Sequence, residues 1–308
     1  AQTPKDIDTA EPSDAIAAKS DVVASPPAAA SDGRPKAPDA AKPPETANTA
    51  QPSSEAPAPA ATVQRVTIND LLEVLGAGLR DFRAAPFYGL TVGGIYMLGG
   101  WVLFLLLMRF DLPFLVYPLA AGFALIAPFI ATAFYAISHR LERKETLSWG
   151  GIAASVRGAM GRDLGWMALV TCFAMIIWMD IAAVLFFGLL GLKSMGVQEL
   201  LREIFTTPMG LLLLVLGNSI GALIAFGVFS FSVISFPMLF DRNIDFVTAM
   251  ITSVKLVMLN PMTMAIWCFV IAVLIGISLL SGLLGLLVVL PVLGHTSWHL
   301  YRRAVSNA

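Results

Sequence analysis

Histidine occurs three times and cysteine twice in the 308 residues, and only 13% of the side chains are charged. Each scarcity removes a class of function. Two cysteines, Cys172 and Cys268, cannot form a disulfide framework, and both sit in apolar runs where a buried thiol is an inert core residue. A net charge of -1, with Lys and Arg scattered rather than striped, leaves no basic surface for phosphate and argues against a nucleic-acid partner. There is no phosphate-cradling glycine loop, no paired histidines of a zinc protease and no nucleophile beside a base. The chain therefore reads as a non-enzyme that needs no cofactor. What it has in excess is grease: 57% of residues are hydrophobic, against roughly 45–50% in a soluble domain. That surplus has to face lipid.

Aromatic residues are missing from the first part of the chain, the earliest being Phe82. Residues 1 to 62 hold eleven of the nineteen prolines, much alanine and charges of both signs. A segment of that composition cannot bury enough apolar surface to offset the entropy of ordering it. Residues 1–65 are expected to be a disordered cytoplasmic tail, and residues 66–304 the membrane domain.

A helical crossing needs about 20 apolar residues, because the hydrocarbon is about 30 Å thick and a helix rises about 1.5 Å per residue. Four stretches qualify directly: Tyr88 to about Met108, Pro113 to about Ser138, Leu164 to Leu190, and Met209 to about Leu239. The block from Met262 to Tyr301 would be about 60 Å long as one helix, so it is read as two crossings, 262–280 and 283–301. The reversal is placed between Gly276 and Gly285, with Ser281 and Gly282 at its tip. Six crossings put both termini on one side. Of the Lys and Arg from Arg65 onward that side collects twelve, while Arg109, Lys193 and Arg202 alone fall on the other. Basic residues stay inside, so both termini are expected in the cytoplasm. The outward loop from Gly191 to Pro208 should carry a short helix near Val197 to Ile204.

Three short amphipathic segments each lead into a crossing. Gly78-Leu79-Arg80 aligns with Ser155-Val156-Arg157 and with Ser253-Val254-Lys255. Six residues after each basic position stand Pro86, Asp163 and Pro261. The first segment gathers Ile68, Leu71, Leu75, Leu79 and Phe82 on one face, the third Ile244, Val247, Ile251, Val254 and Met258, and the second Ile152, Val156 and Met160. Helices of this kind lie flat in the interface. The fold class read from these patterns is all-α: a bundle of six crossings with three interfacial helices and a threefold internal repeat.

The run Ala85-Pro86-Phe87-Tyr88-Gly89-Leu90 is followed by Gly93-Gly94-Ile95-Tyr96, then by Tyr117-Pro118-Leu119-Ala120-Ala121-Gly122-Phe123 and Ala127-Pro128-Phe129. With the closing Leu290-Pro291-Val292-Leu293-Gly294-His295-Thr296-Ser297-Trp298-His299-Leu300-Tyr301, it resembles a bacterial family of integral membrane proteins of unknown function. The resemblance spans about residues 66 to 304, and the closing motif is its most specific part. It implies a helical membrane fold and brings no activity, cofactor or catalytic residue.

Few residues remain as candidates for chemistry. Asp180 falls near the middle of the third crossing, where a carboxylate costs about 2.5–3.5 kcal/mol. Asn218 and Ser219 in the fourth are its expected partners. They lie between Gly217 and Gly221, whose spacing lets helices approach closely, as does that of Gly89 and Gly93 in the first crossing. His295 and His299 share a helical face and could hold a metal or haem, although three histidines are too few for a self-contained haem–copper site. Prolines 118, 128, 237 and 291 are expected to kink their helices. The leading function is an accessory or scaffold subunit of a larger bioenergetic or transport complex, with the bilayer and other membrane subunits as partners. A permease using Asp180 and Asn218, and a metal- or haem-binding protein using His295 and His299, are the alternatives.

Overall fold

The computed structural model describes residues 62–109, 116–160, 163–191 and 197–306, without the side chains of 107–128 and 197. Most of the expected tail, the turn around Asp111, and Lys193 lie outside those residues. Two short strands, β1 (Thr62–Val63) and β2 (Val305–Ser306), bracket eleven helices. These are α1 (Ile68–Ala84), α2 (Pro86–Arg109), α3 (Val116–Glu142), α4 (Trp149–Met160), α5 (Leu164–Leu190), α6 (Val197–Thr206), α7 (Pro208–Ser232), α8 (Ser235–Asp241), α9 (Phe246–Leu259), α10 (Pro261–Leu280) and α11 (Leu286–Ala304).

Among the described residues four stretches are long and apolar enough to cross a membrane: 86–106, 164–190, 208–241 and 261–280. The other two expected crossings correspond to α3 and α11. The side chains in the first half of α3 are not described, and the last half of α11 carries His295, Thr296, Ser297, His299, Tyr301, Arg302 and Arg303, which lower its hydropathy. The reversal between α10 and α11 falls at residues 281–285, with Gly282 and Leu283 at positive φ (67° and 71°). Trp101 Nε1 donates to Gly282 O across 2.8 Å and fixes that tip to α2.

Helix starts follow the local chemistry. Thr67 caps α1 by accepting from Asp70 N, and Asp70 Oδ2 accepts from Thr67 N in return, a closed capping box. Thr207 and Asp245 cap α7 and α9 in the same way. The expected kink at Pro237 appears as a break at Val233 and Ile234 that separates α7 from α8. A proline ring clashes with the carbonyl four residues before it, here that of Val233. Pro291 sits inside α11 without ending it.

The centre of the fold is α11. It packs on α1, α2, α3, α8 and α10, and Trp298, Leu300 and Tyr301 are almost fully buried. Close approach is possible because glycine stands where helices touch. A Cβ on Gly78 of α1 would lie 2.3 Å from Thr296 Oγ1 and 2.8 Å from Val292 O, and one on Gly294 would lie 2.4 Å from Phe134 of α3. A Cβ on Gly93 of α2 would meet Leu287 O at 3.1 Å, the carbonyl that Pro291 leaves without its helical donor. The chain ends meet as well. β1 pairs antiparallel with β2, Thr62 opposite Ser306, so the two ends of the helical body lie side by side.

Two surface helices divide their apolar residues between the protein and its surroundings. In α1 the buried residues are Asp70, Leu71, Val74 and Gly78, while Ile68 is half exposed. In α9 the small and polar face, Ala249, Thr252 and Ser253, packs inward with Leu256 and Val257, whereas Val247, Ile251 and Met258 point out. Hydrophobic periodicity locates a greasy face without saying whether protein or lipid covers it. For α9 the neighbouring helices cover the opposite one.

Candidate functional site

The polar side chains gather in one layer, where the C-terminal half of α11 meets the ends of α1, α3 and α8. On one flank, Ser138 Oγ lies 2.7 Å from Asp81 Oδ2 and 2.8 Å from His295 Nδ1, and His299 Nε2 lies 2.8 Å from the same Asp81 oxygen. Ser138 and His295 are fully buried. Proton bookkeeping fixes the directions. Ionised Asp81 only accepts, so Oδ2 takes the Ser138 O–H and the His299 Nε2–H. Ser138, having donated its proton, accepts from His295 Nδ1–H. Burial works against the charge on Asp81, but the hydrogen bonds from His299 and Ser138 prevail and hold its carboxyl below the usual range.

The same layer continues around α11. Arg242 Nε donates to Tyr301 Oη at 2.8 Å, and that hydroxyl donates to Asp241 Oδ2 at 2.7 Å. Arg302 Nη2 and Trp298 Nε1 both reach Glu142, at 3.0 and 3.3 Å. Arg303 grips Asp70 Oδ1 with Nη2 at 2.6 Å and Nε at 2.9 Å. The Thr67 backbone and hydroxyl, then Arg303, hold the Asp70 carboxyl down to about 2. Asn260, at the elbow between α9 and α10, receives Val66 N on Oδ1 at 2.8 Å.

The bonding differs from that of a catalytic serine. A catalytic serine gives its proton to histidine. Here the hydroxyl proton faces Asp81, the histidine donates, and burial closes the oxygen to substrate. The two histidines expected to share a ligand do share one face of α11, but each ring is held by a different group, Ser138 for His295 and Asp81 for His299. Among the described residues no group of three or more His, Cys, Asp or Glu could hold a metal. His295 Nε2 is buried without a hydrogen bond, edge-on to Phe134 at 5.5 Å.

The intramembrane candidates lie elsewhere. Asp180 is exposed on α5, on the stripe that also carries Phe173, Ile177, Val184 and Phe187. Asn218 and Ser219 are exposed on α7. Gly221 receives the Trp178 ring, 2.9 Å from where its Cβ would be, so residues 178–180 of α5 and 218–221 of α7 lie near one depth. Asn218 Nδ2 donates to Leu214 O of its own helix at 2.7 Å. Gly217 is open to space, while Gly89 and Gly93 face α11 through Pro291.

Asp81, Ser138 and Asp70 are central to the layer and were not singled out in the sequence. One signal was available: Asp70, Val74, Gly78 and Asp81 follow helical spacing, so two acids sit in the buried stripe of α1.

The family model described as "Predicted integral membrane protein (DUF2189)" matches residues 116–241. Over those residues the chain is similar to the DUF2189 family. The DUF2189 segment begins with α3 and ends with α8, a narrower span than the motifs suggested, and leaves the closing motif of α11 outside. No curated protein and no solved structure matches the chain. Within the DUF2189 segment lie Ser138, Glu142, Asp180, Asn218 and Asp241. Asp70, Asp81 and the α11 residues that hold the layer together lie beyond it.

Proposed function

We propose that this chain is a non-catalytic subunit, an accessory or scaffold component of a larger membrane complex, resident in a bacterial inner membrane with both termini in the cytoplasm. The observation that carries the reading is the outward placement of Asn218 and Ser219 on α7, beside faces of α5 and α7 that the chain itself leaves open. A polar group facing hydrocarbon is unfavourable, whereas polar groups between helices act as glue. Almost none of the apolar window of α5 and none of that of α7 is buried by the chain itself. That face suits another membrane subunit. Asp81, Ser138 and His299 of the polar layer, by contrast, are bonded to one another, as are Tyr301 and Asp241.

The same layer supports six crossings. α2 leaves it after Asp81 and α3 returns to it at Ser138; α5 leaves after α4 and α8 returns at Asp241; α10 leaves after Asn260 and α11 returns at Tyr301. The elbows at Ala85 and Asn260 share a backbone shape, φ −134° with ψ 53° and φ −132° with ψ 51°. This supports a repeat of one interfacial helix and two crossings, although Asp163 at the second elbow is helical.

A tagged chain purified in mild detergent should carry a stoichiometric membrane partner. A photo-crosslinking residue at Asn218 or Val184 should capture that same partner, and one at Leu72 on α1 should not. Recovery of the chain with lipid alone, and no protein adduct from α5 or α7, would overturn the reading.

A further inference from the structure

Six helices, α2, α3, α5, α8, α10 and α11, line a wide-mouthed cavity of about 440 Å³ on the hydrocarbon side of the polar layer. Its size falls within the roughly 300–1,000 Å³ of small-molecule sites. The wall is mostly apolar, with Phe236 and Leu293 prominent, and four hydroxyl-bearing residues reach it: Tyr96, Tyr135, Thr171 and Ser297. Thr171 and Ser297 turn their hydroxyls back onto their own helices, to Ala168 O at 2.8 Å and Leu293 O at 2.9 Å.

Tyr135 does not. It is only 5% exposed, and its hydroxyl makes no hydrogen bond among the described residues. Tyr135 lines the cavity, and a phenol away from water ordinarily finds a partner, so this one calls for an acceptor from whatever fills that space. Water is a poor candidate, since a buried water needs two to four polar partners and an apolar cavity stays dry. No Lys or Arg lines the space, which disfavours a carboxylate or phosphate there. The remaining description is an uncharged acceptor attached to an apolar body. Depth refines it further. Tyr135 precedes Ser138 by three residues on α3, about 4.5 Å along the axis, which puts its hydroxyl near the boundary between polar layer and hydrocarbon. In a bilayer that is the level of the ester carbonyls.

We propose that the cavity holds one acyl chain of a membrane lipid, whose ester carbonyl accepts a hydrogen bond from the Tyr135 hydroxyl. The site is independent of the outward face of α5 and α7 and of any partner bound there.

The test uses the full chain in nanodiscs doped with a diester phosphatidylcholine that carries a diazirine on one acyl chain, beside a diether analogue with the same label. After illumination, adducts from the diester should concentrate in residues 131–135 and 290–297. Tyr135→Phe should keep the melting temperature within a few degrees and lower those adducts roughly three- to tenfold, the effect of one hydrogen bond. The diether on the unaltered chain should label as weakly as the diester on the variant. Ala131→Phe, which fills the space, should abolish cavity labelling. Equal labelling by diester and diether, or adducts spread evenly over the outward helix faces, would overturn the proposal. The diether comparison decides the matter even if a variant fails to fold.

Discussion

Ser138 shows how much a single hydroxyl can hold. It joins α1, through Asp81, to α11, through His295, beside the direct bond between His299 and Asp81. Ser138→Ala should leave a buried imidazole donor without an acceptor and cost about 1–3 kcal/mol, read as a lower melting temperature in detergent. Ser138→Thr, which keeps the hydroxyl, should recover part of it. Asp81 and Asp70 carry a pH signature. Both carboxyls are depressed from 3.8, Asp70 to about 2. A depressed carboxyl adds stability above its unfolded pKa and loses it as pH falls through its folded one. Thermal stability should therefore hold above about pH 4 and decline below it. Asp70→Asn should lower stability at neutral pH and flatten the decline between 3.8 and about 2. An unchanged acid limb in that variant would mean that the ion pair with Arg303 adds nothing. Neither Asp81 nor Ser138 was legible as a site, because an isolated acid or serine looks the same whether it meets water or another helix. Only the helix crossing at Gly78 brings them together.

Among the elements, α11 depends on glycine at its crossings. Gly78→Val would force a branched side chain into Thr296 and the backbone of α11. The expected loss is about 1–3 kcal/mol for overpacking. The same change at Gly217, where nothing lies within 4 Å, should leave the isolated chain unaffected. Thermal unfolding of the two variants in one detergent separates these outcomes. The elements themselves were largely readable: proline and polar caps mark the starts of α1, α2, α7, α9 and α10, the short helix in the loop after α5 lies where its amphipathic pattern put it, and the α10–α11 turn falls on Ser281 and Gly282. The faces were less readable. Val247, Ile251 and Met258 form as clear an apolar stripe as any, yet they point outward, because in a membrane protein lipid covers grease as well as a neighbouring helix does. Pattern alone cannot separate the two solvents.

For the whole molecule, the decisive fact is where the chain returns. The ends of α3, α8 and α11 and the starts of α2, α5 and α10 belong to one polar layer, with β1 paired to β2 beside it. Composition made a lipid-facing body evident, and the apolar run lengths located four stretches long and apolar enough to cross a membrane. The layer was illegible because its bonds join residues up to 233 positions apart. The account of the membrane arrangement rests on that layer lying at one face of the bilayer. Its most direct test is cysteine labelling from each side in a background with Cys172 and Cys268 replaced by alanine. Single cysteines at Ser148, Arg242 and Arg302 should react with a membrane-impermeant maleimide from one side only, and those at Gln198 and Ser281 from the other. Labelling of Gln198 and Arg302 from the same side would contradict it.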